Sequence, residues 1–267
     1  MDQQQLRELV RDRLWYHTIE LAPGVVTPGW FDTRGALGVL PFPADLRGKR
    51  CLDVGSFDGF WAFEMERRGA AEVVAVDLLD AAQFDWPANS SPEAIEEIGK
   101  RKGVGEGFEI AAAALGSTVR RLDRNVYDLD PDELGTFDFV YVGSLLLHLR
   151  DPIRALGQIR TVCRGSVLFV DAVDADLSLL FHRRPVAGFD GIGRPWWWKP
   201  NPAALSRFVE SAGFTVVDGP TRFFMPRGQG QPMARPPVRA LRLHQGREAW
   251  WTWWRGDPHA FVLAQRD

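Results

Sequence analysis

Residues 50–77, RCLDVGSFDGFWAFEMERRGAAEVVAVD, constrain the fold more than any other stretch of the chain. An apolar strand over 51–54 leads into a glycine-bearing turn, a helix expected over 60–68 and a second apolar strand that ends on Asp77. This order predicts a βαβ unit with a nucleotide-sized pocket at the carboxyl ends of its strands. An acid after the second strand suits a ribose, because a carboxylate can accept hydrogen bonds from both hydroxyls.

The turn of this unit departs from a dinucleotide-binding fingerprint. Asp53, Gly55 and Gly59 give the spacing D-x-G-x-x-x-G instead of G-x-G-x-x-G. Phe57 lies in the middle of the turn, where a bulky side chain resists a positive φ and leaves the local geometry open. The same residues are also compatible with an ordinary tight strand-to-helix turn that binds no ligand. The turn alone therefore does not identify a ligand.

Length, net charge and cysteine content limit the classes of protein to which the chain can belong. Its 267 residues are enough for one large α/β domain with additions or for two small domains. A net charge of −3 makes no general case for DNA or an anionic membrane as partner. Cys51 and Cys163 are expected to be buried free thiols, and nothing indicates a metal site. No signal peptide or membrane span is apparent, so we expect a cytoplasmic protein.

Strand and helix patterns alternate over residues 48–218, which predicts a mostly parallel, doubly wound sheet. Five further strands, or strands with their turns, are expected at about 119–129, 137–143, 166–171, 214–218 and 259–265. Helices are expected at 3–19, from Ser90 or Ser91 onward, and at 108–115, 153–163 and 202–212. We divide the chain into an N-terminal helix and lid segment (1–47) and a main domain (48–267) with an insertion at about 219–257.

Several of these residues resemble a known family. LDVGSFDG with a following strand that ends on Asp77 is similar to the first two motifs of the class I S-adenosylmethionine-dependent methyltransferases, and GSLLLHLRDP at 143–152 resembles their G-x-L-x-H-x-x-D-P turn. The last two predicted strands fit the reversed seventh strand of that family. The resemblance therefore implies an α/β fold with a doubly wound, Rossmann-like seven-stranded sheet, an antiparallel last strand and, in this chain, an N-terminal helical lid.

The resemblance also implies S-adenosyl-L-methionine as cofactor and assigns residues to it. Asp53 would lie near the amino group of the methionine moiety and Asp77 would hold the ribose. Asn125 and Val126 would meet the adenine, although a plain turn there is an equal alternative. The remaining residues expected to bind the cofactor are Trp30, Gly55, Phe57, Gly59, Leu78 and Gly143.

Three passages (17–35, 59–70 and 196–214) resemble the branch that contains the tRNA wobble-uridine carboxymethyltransferases. Those enzymes use carboxy-S-adenosylmethionine, and their pattern has a lysine, a tyrosine and an arginine. Here Tyr16 or His17, Leu147 and His259 stand at the corresponding places. A carboxylate without charged partners in a dry pocket would cost several kcal/mol. Ordinary S-adenosylmethionine is therefore the expected donor.

His148 is the first candidate for a catalytic group, since it follows the carboxyl end of the fourth predicted strand and a neutral imidazole can accept a proton. The alternative is a histidine that packs against or caps the next helix. His17 is a second catalytic candidate. The residues expected near the substrate are Tyr16, Leu147, Asp171 and Trp198.

The C-terminal part carries two unusual features. Tryptophans at 196–198 and within 250–254 would line the binding site of an aromatic acceptor, stack on a nucleobase or pack within the protein. Packing is the simplest explanation for most of them. Eight arginines follow Pro220 against three acids, which indicates either phosphate binding or a solvated basic face. Residues 225–238 read as a flexible loop.

These observations lead to one principal hypothesis, in which the protein transfers a methyl group from S-adenosylmethionine to an oxygen or nitrogen of a small molecule by in-line displacement. The first alternative is a tRNA wobble-uridine methyl- or carboxymethyltransferase. The second is a non-methylating reaction of S-adenosylmethionine itself.

Overall fold

A seven-stranded sheet forms the centre of the computed structural model, which describes residues 2–192 and 195–267. The helices of the described part are α1 (Gln3–Arg11), α2 (Phe60–Arg67), α3 (Pro92–Lys102), α4 (Glu106–Leu115), α5 (Pro131–Leu134), α6 (Pro152–Val162), α7 (Ala175–Leu180), α8 (Pro202–Ser211) and α9 (His244–Trp254). The strands are β1 (Trp15–His17), β2 (Glu20–Ala22), β3 (Val25–Val26), β4 (Gly29–Phe31), β5 (Arg50–Val54), β6 (Glu72–Asp77), β7 (Arg120–Asp123), β8 (Phe137–Gly143), β9 (Cys163–Ala172), β10 (Ala187–Phe189), β11 (Trp198–Pro200), β12 (Phe214–Met225) and β13 (Asp257–Arg266).

The sheet order confirms the predicted fold class. The strands lie in the order β12-β13-β9-β8-β5-β6-β7, and β13 is antiparallel to both of its neighbours. The pairs β5–β6, β6–β7, β5–β8 and β8–β9 are parallel. From β5 the chain moves outward to β6 and β7 and then returns to the other side with β8. The switch point therefore lies between β5 and β8, where open α/β sheets bind their ligands.

Both faces of the sheet are covered. Cys51 on β5 belongs to one buried cluster, with α2, α4 and the N-terminal segment, whereas Leu52 and Val54 belong to the other, with α6 and α8. This alternation is the period of two that a strand imposes on its side chains. Because each face is covered, the central strands read as almost continuous apolar runs. The two cysteines are free and buried, as predicted.

The N-terminal helix is shorter than predicted. It ends at Arg11, and Trp15–His17 instead pairs in parallel with Gly29–Phe31. Trp15 is fully buried and donates its indole N–H to the carbonyl of Val10 at 3.0 Å, which turns the chain back onto the helix. The expected continuation of the helix to residue 19 was wrong because these tertiary contacts outweigh the helical spacing of the apolar residues.

The sixth strand of the sheet is longer than predicted, because β12 continues from residue 218 to Met225. The start of the following segment is not a free loop, since it hydrogen-bonds to the N-terminal segment. Asp32 N–H donates to Pro226 O, and Gly228 N–H donates to Trp30 O at 2.7 Å. These bonds join the segment after β12 to the lid segment. No helix in the described ranges is long and apolar enough to cross a membrane.

Asn201 was predicted as the N-cap of α8, and the structure shows why the position matters. Its side chain is fully buried and accepts from the amides of Ala204 at 2.8 Å and Val186 at 3.2 Å. It also donates to the carbonyls of Phe181 and Arg184. One side chain therefore satisfies both the helix terminus and the preceding loop.

We predict that Asn201→Ala lowers the free energy of unfolding by about 3 kcal/mol, because it removes a cap and leaves buried carbonyls without donors. Urea denaturation measures the change. Ser91→Ala, which removes the cap of α3 at a less buried site, is the matched control and should cost about 1 kcal/mol. Equal losses in the two variants would contradict the special role of Asn201.

Candidate active site

A cavity of about 950 Å³ opens at the carboxyl ends of β5, β6 and β8. This volume includes space at the open mouth of the cavity. Nine residues singled out from the sequence line it: Tyr16, Gly55, Phe57, Asp77, Leu78, Asn125, Val126, Gly143 and His148. The remaining predicted site residues are not part of the lining: Trp30, Asp53, Gly59, His17, Leu147, Asp171 and Trp198.

The glycine-bearing turn adopts a left-handed conformation that includes a phenylalanine. Phe57 has φ +49°, and its amide donates to Asp77 Oδ2 at 2.6 Å. Its ring stacks on Tyr16 with centroids 4.5 Å apart. Gly59 has φ +86°, and a Cβ there would lie 2.6 Å from the ring of Phe108. Gly59 is therefore required by packing beneath the turn rather than by the cavity.

Asp77 lies on the cavity wall with its carboxylate already oriented. Besides the Phe57 amide, it contacts the ammonium of Lys102, which comes from the last turn of α3 and is almost fully buried. Burial lowers the pKa of Lys102, and the charge of Asp77 opposes that shift. Sequence reasoning missed Lys102, because the run Lys100-Arg101-Lys102 before a glycine looks like an ordinary solvated helix end.

Asp53 is buried beneath the turn instead of facing the cavity. Its side chain is 1% exposed, and its Oδ2 atom has no hydrogen-bond partner among the described residues. Burial, reinforced by the charge of Asp77, raises the pKa of Asp53 to about 8. Asp53 therefore carries a proton at neutral pH when the cavity holds no ligand.

Asp58, which the sequence reasoning passed over, anchors the lid segment. Its buried carboxylate accepts from the amides of Tyr16 and His17, at 2.5 and 2.9 Å. These bonds hold Tyr16 over the cavity. His17 points away from it and packs against Tyr16 and Phe60. Burial lowers the pKa of His17 to about 3, so the geometry does not support the predicted catalytic role of His17.

Asn125 and Val126 lie at the end of the cavity nearest β7. The Asn125 side chain accepts from the amide of Tyr127 at 3.0 Å and so forms a short capped turn. This position matches the adenine end implied by the family resemblance. The adenine contact itself stays a prediction.

His148 lines the opposite part of the cavity. Its Nδ1 atom lies at hydrogen-bond distance from the carbonyl of Pro195, and since a carbonyl only accepts, Nδ1 carries the hydrogen. Nε2 is then the atom with a lone pair. Burial lowers the pKa of His148, so the ring is neutral.

Asp171 and Leu147 support the turn around His148 from behind. Asp171 accepts from the amides of Leu146 and Ala172, and burial raises its pKa to about 7. The carbonyl of Leu147 accepts from the amide of Trp197 at 2.8 Å. Both residues therefore shape the cavity without lining it.

The two tryptophans predicted to line the pocket lie elsewhere. Trp30 packs under the guanidinium of Arg101, 4.1 Å from its ring centroid. Trp198 lies on the outer side, against Phe189. Trp197 lies closer to the site, since its indole N–H donates to the carbonyl of Asp85 on the cavity wall.

Residues 34–218 match the family model of a methyltransferase domain. The chain belongs to this methyltransferase family. The match confirms the predicted resemblance to class I S-adenosylmethionine-dependent methyltransferases, and S-adenosylmethionine is the cofactor of this methyltransferase domain.

Named relatives differ in their substrates. A tRNA U34 carboxymethyltransferase of Methylococcus capsulatus is 26% identical over 182 residues, which are 64% of this chain and 46% of that protein. The chain thus spans about half the length of that relative. The ubiquinone biosynthesis O-methyltransferase of Neisseria meningitidis is 28% identical over 183 residues, 66% of this chain and 67% of that protein.

Solved structures share the fold of this methyltransferase. The N-terminal domain of EvdMO1 with SAH bound aligns with a TM-score of 0.53 and 14% identity, and the alignment covers 100% of this chain and 98% of that chain. At this identity the likeness establishes the fold only.

We predict that Asp53→Asn changes the pH dependence of stability in the ligand-free protein. Below the ordinary Asp pKa of about 4, the carboxyl group is protonated in both the folded and the unfolded state. As the pH rises towards the folded-state pKa of about 8, only the unfolded state loses the proton, so the wild type loses stability. Asparagine cannot ionise and escapes this loss.

Urea denaturation at several pH values tests this prediction: the stability of Asp53→Asn relative to wild type should increase with pH. Asp138→Asn is the matched control of opposite sign, because the side-chain hydrogen bond of Arg164 lowers the pKa of Asp138. That variant should lose stability relative to wild type as the pH rises. A constant difference for Asp53→Asn would show that Asp53 is not protonated in the folded state.

We predict that Asp77→Ala weakens binding of S-adenosylmethionine by about 10- to 100-fold, because charge-assisted hydrogen bonds to the ribose contribute about 1.5–3 kcal/mol. Isothermal calorimetry measures the affinity. Lys102→Met is the control, since it removes the buried partner of Asp77 and keeps the carboxylate on the cavity wall. Unchanged affinity in Asp77→Ala, or an equal loss in both variants, would count against a ribose contact.

Proposed function

We propose that the protein transfers the methyl group of S-adenosylmethionine to an oxygen or nitrogen of a small molecule. The observation that carries this proposal is the uncharged part of the cavity lining around Tyr16 and His148. Tyr16, Leu145, His148 and Pro195 belong to it, and no lysine or arginine is among the described residues of that part. Such a wall accommodates a methyl group and a small acceptor, and none of its described residues offers a positively charged partner for the extra carboxylate of carboxy-S-adenosylmethionine.

In this mechanism the donor orients along the carboxyl ends of the strands. The adenine would lie at Asn125 and Val126, the ribose at Asp77 and the methionine moiety at Gly55 and beyond. Tyr16 and His148 would then lie beside the place of methyl transfer. Since the positive sulfur already activates the methyl group, the protein contributes mainly alignment and exclusion of water.

A base is needed only to remove the proton that the acceptor releases. The sequence predicts His148 for this role, and its geometry is compatible with it, because its Nδ1 is held by Pro195 and its Nε2 keeps a lone pair. The hydrogen bonds of Trp197 to Leu147 and Asp85 hold residues 195–197 over the site. An acceptor that reacts there has to fit beneath this cover.

A tRNA acceptor is the second candidate, and the similarity to the tRNA U34 carboxymethyltransferase is the observation in its favour. The arginines of the C-terminal part support a tRNA acceptor less than their number indicates. Arg247 pairs with Asp176, Arg235 lies over the rings of Trp250 and Trp253, and the Arg227 side chain donates to a backbone carbonyl. These side chains bind within the protein, which favours the packing interpretation of the tryptophans on α9.

We expect mass spectrometry to detect methylated product when the protein is incubated with S-adenosylmethionine and a panel of small phenols, carboxylic acids and amines. A parallel reaction offers bulk tRNA, and a third contains S-adenosylmethionine alone, to reveal a non-methylating reaction of the donor. Asp77→Ala is the negative control.

Filter binding of tRNA over a salt series completes this test, because phosphate contacts give a steep loss of affinity with salt. Product that forms only on tRNA, together with a steep salt dependence, would replace the small-molecule proposal with the tRNA alternative. Consumption of the donor without any acceptor would support the non-methylating alternative.

A further inference from the structure

Three polar side chains from distant parts of the chain form a hydrogen-bonded series beside the cavity. The Ser144 hydroxyl lies 3.1 Å from His259 Nε2, and His259 Nδ1 lies 3.3 Å from Asp257 Oδ2 and 3.1 Å from the carbonyl of the same residue. The phenol of Tyr16 lies near this series, and Ser144 lowers the pKa of Tyr16 against the larger, raising effect of burial. Because Nδ1 faces only acceptors, it carries the hydrogen and leaves the Nε2 lone pair for the serine hydroxyl.

This series leads from the cavity to the surface. Tyr16 and Ser144 line the cavity, at the end where the methyl group is expected. His259, on β13, is 1% exposed, and the side chain of Asp257 is 25% exposed. A proton taken up at the cavity therefore has a continuous path of hydrogen-bonding groups to a carboxylate in contact with solvent.

The backbone conformation at Ser144 would be satisfied better by glycine than by serine. Ser144 has φ +48°, a conformation that glycine adopts without strain and serine does not. Its amide is held by the carbonyl of Val170 at 2.8 Å. Strain of this kind in non-glycine residues concentrates at functional sites. The strained serine places a hydroxyl between the cavity and His259.

His259 is better suited than His148 to hold a positive charge transiently. Both rings are neutral at rest, since burial lowers both pKa values. The charged groups that act on His259 are Asp257, which raises its pKa, and Lys199 on β11, which lowers it; the other close neighbours are the rings of Phe31 and Phe223. His148 has only a backbone carbonyl at its Nδ1 atom. An imidazolium in a buried site is stabilised far more by a carboxylate than by a carbonyl.

We propose that Ser144 accepts the proton of the methyl acceptor while its own hydroxyl proton passes to His259 Nε2, and that Asp257 stabilises the resulting imidazolium. Ser144 is the catalytic residue of this relay, and His259 and Asp257 are positioning residues that act through it. The proposal rests on the proposed methyl transfer and narrows the acceptor to a group that carries a proton, a hydroxyl or an N–H.

The step is balanced. The S–CH₃ bond of the donor breaks and the bond from the methyl carbon to the acceptor oxygen or nitrogen forms, so the sulfur keeps the electron pair as a neutral thioether. The proton leaves the acceptor for the Ser144 oxygen, and the serine proton moves to His259. The Nδ1 proton of the imidazolium then leaves to solvent past Asp257, which makes His259 neutral with its hydrogen on Nε2. Exchange of the ring hydrogen from Nε2 back to Nδ1 through solvent, with no net change in protons, restores the relay.

The first arm of the test requires no acceptor. Long-range proton–nitrogen correlation spectra of the isotope-labelled protein, with S-adenosylhomocysteine bound, should show His259 neutral with hydrogen on Nδ1. Ser144→Gly keeps the backbone conformation and removes the hydroxyl, so it should shift the Nε2 resonance of His259. Hydrogen on Nε2, or an unchanged resonance in Ser144→Gly, would overturn the proposal.

The second arm uses whichever small acceptor supports methyl transfer. Ser144→Gly and His259→Gln should each lower kcat by about 100-fold with the KM for S-adenosylmethionine unchanged, because general acid–base catalysis contributes at least this much. The double variant should fall no further, since the two residues act in series. His182→Gln, at an exposed histidine, is the control and should match wild type.

Asp257→Asn adds a readout that loss of structure would not mimic. Without the carboxylate the pKa of His259 falls, so the acid limb of the pH–rate profile should move to lower pH while the plateau rate decreases. Loss of activity in His148→Gln with near-normal rates in the Ser144 and His259 variants would assign the proton to His148 instead. Failure of the proposed methyl transfer can be told apart from failure of the relay. If no methyl transfer is found, the spectra still show whether Ser144 and His259 form the relay.

Discussion

The carboxylate of Asp77 holds together the parts from which the site is built. It binds the Phe57 amide at 2.6 Å and the buried ammonium of Lys102, and so joins β6 to the glycine-bearing turn and to α3. With its backbone held in this way, Phe57 stacks on Tyr16 and meets the N-terminal lid segment. A buried ion pair of this kind contributes modestly to stability but fixes relative positions strongly, because breaking it would leave one charge unpaired.

The lid segment is part of the site rather than an appendage. Asp58, one residue after Phe57, holds the amides of Tyr16 and His17, and residues after β12 hydrogen-bond to the other side of the same segment. The lid segment is therefore fixed to the glycine-bearing turn on one side and to the connection after β12 on the other.

The positions of individual residues show which features of the site could be predicted from the sequence and which could not. Asp77, Asn125 and His148 follow the carboxyl ends of strands, where side chains converge on the cavity. Asp53 obeys the same motif and yet is buried beneath the turn, because alternation along β5 directs it towards α2. The prediction of a helix over 3–19 was wrong for a related reason, since the burial of Trp15 outweighed the helical spacing of the apolar residues.

The fold class, the strand order of the first βαβ unit and the cofactor can be predicted from the sequence, because they depend on local apolar patterns and on contiguous motifs. Which side chains meet at the cavity depends instead on the tertiary structure. Ser144 and His259 are 115 residues apart, and they meet because β13 inserts antiparallel beside β9, where His259 is paired with Ala172. Lys102 and Asp77 likewise come together only when α3 packs over the sheet. Such contacts depend on long-range packing, which local propensity does not encode.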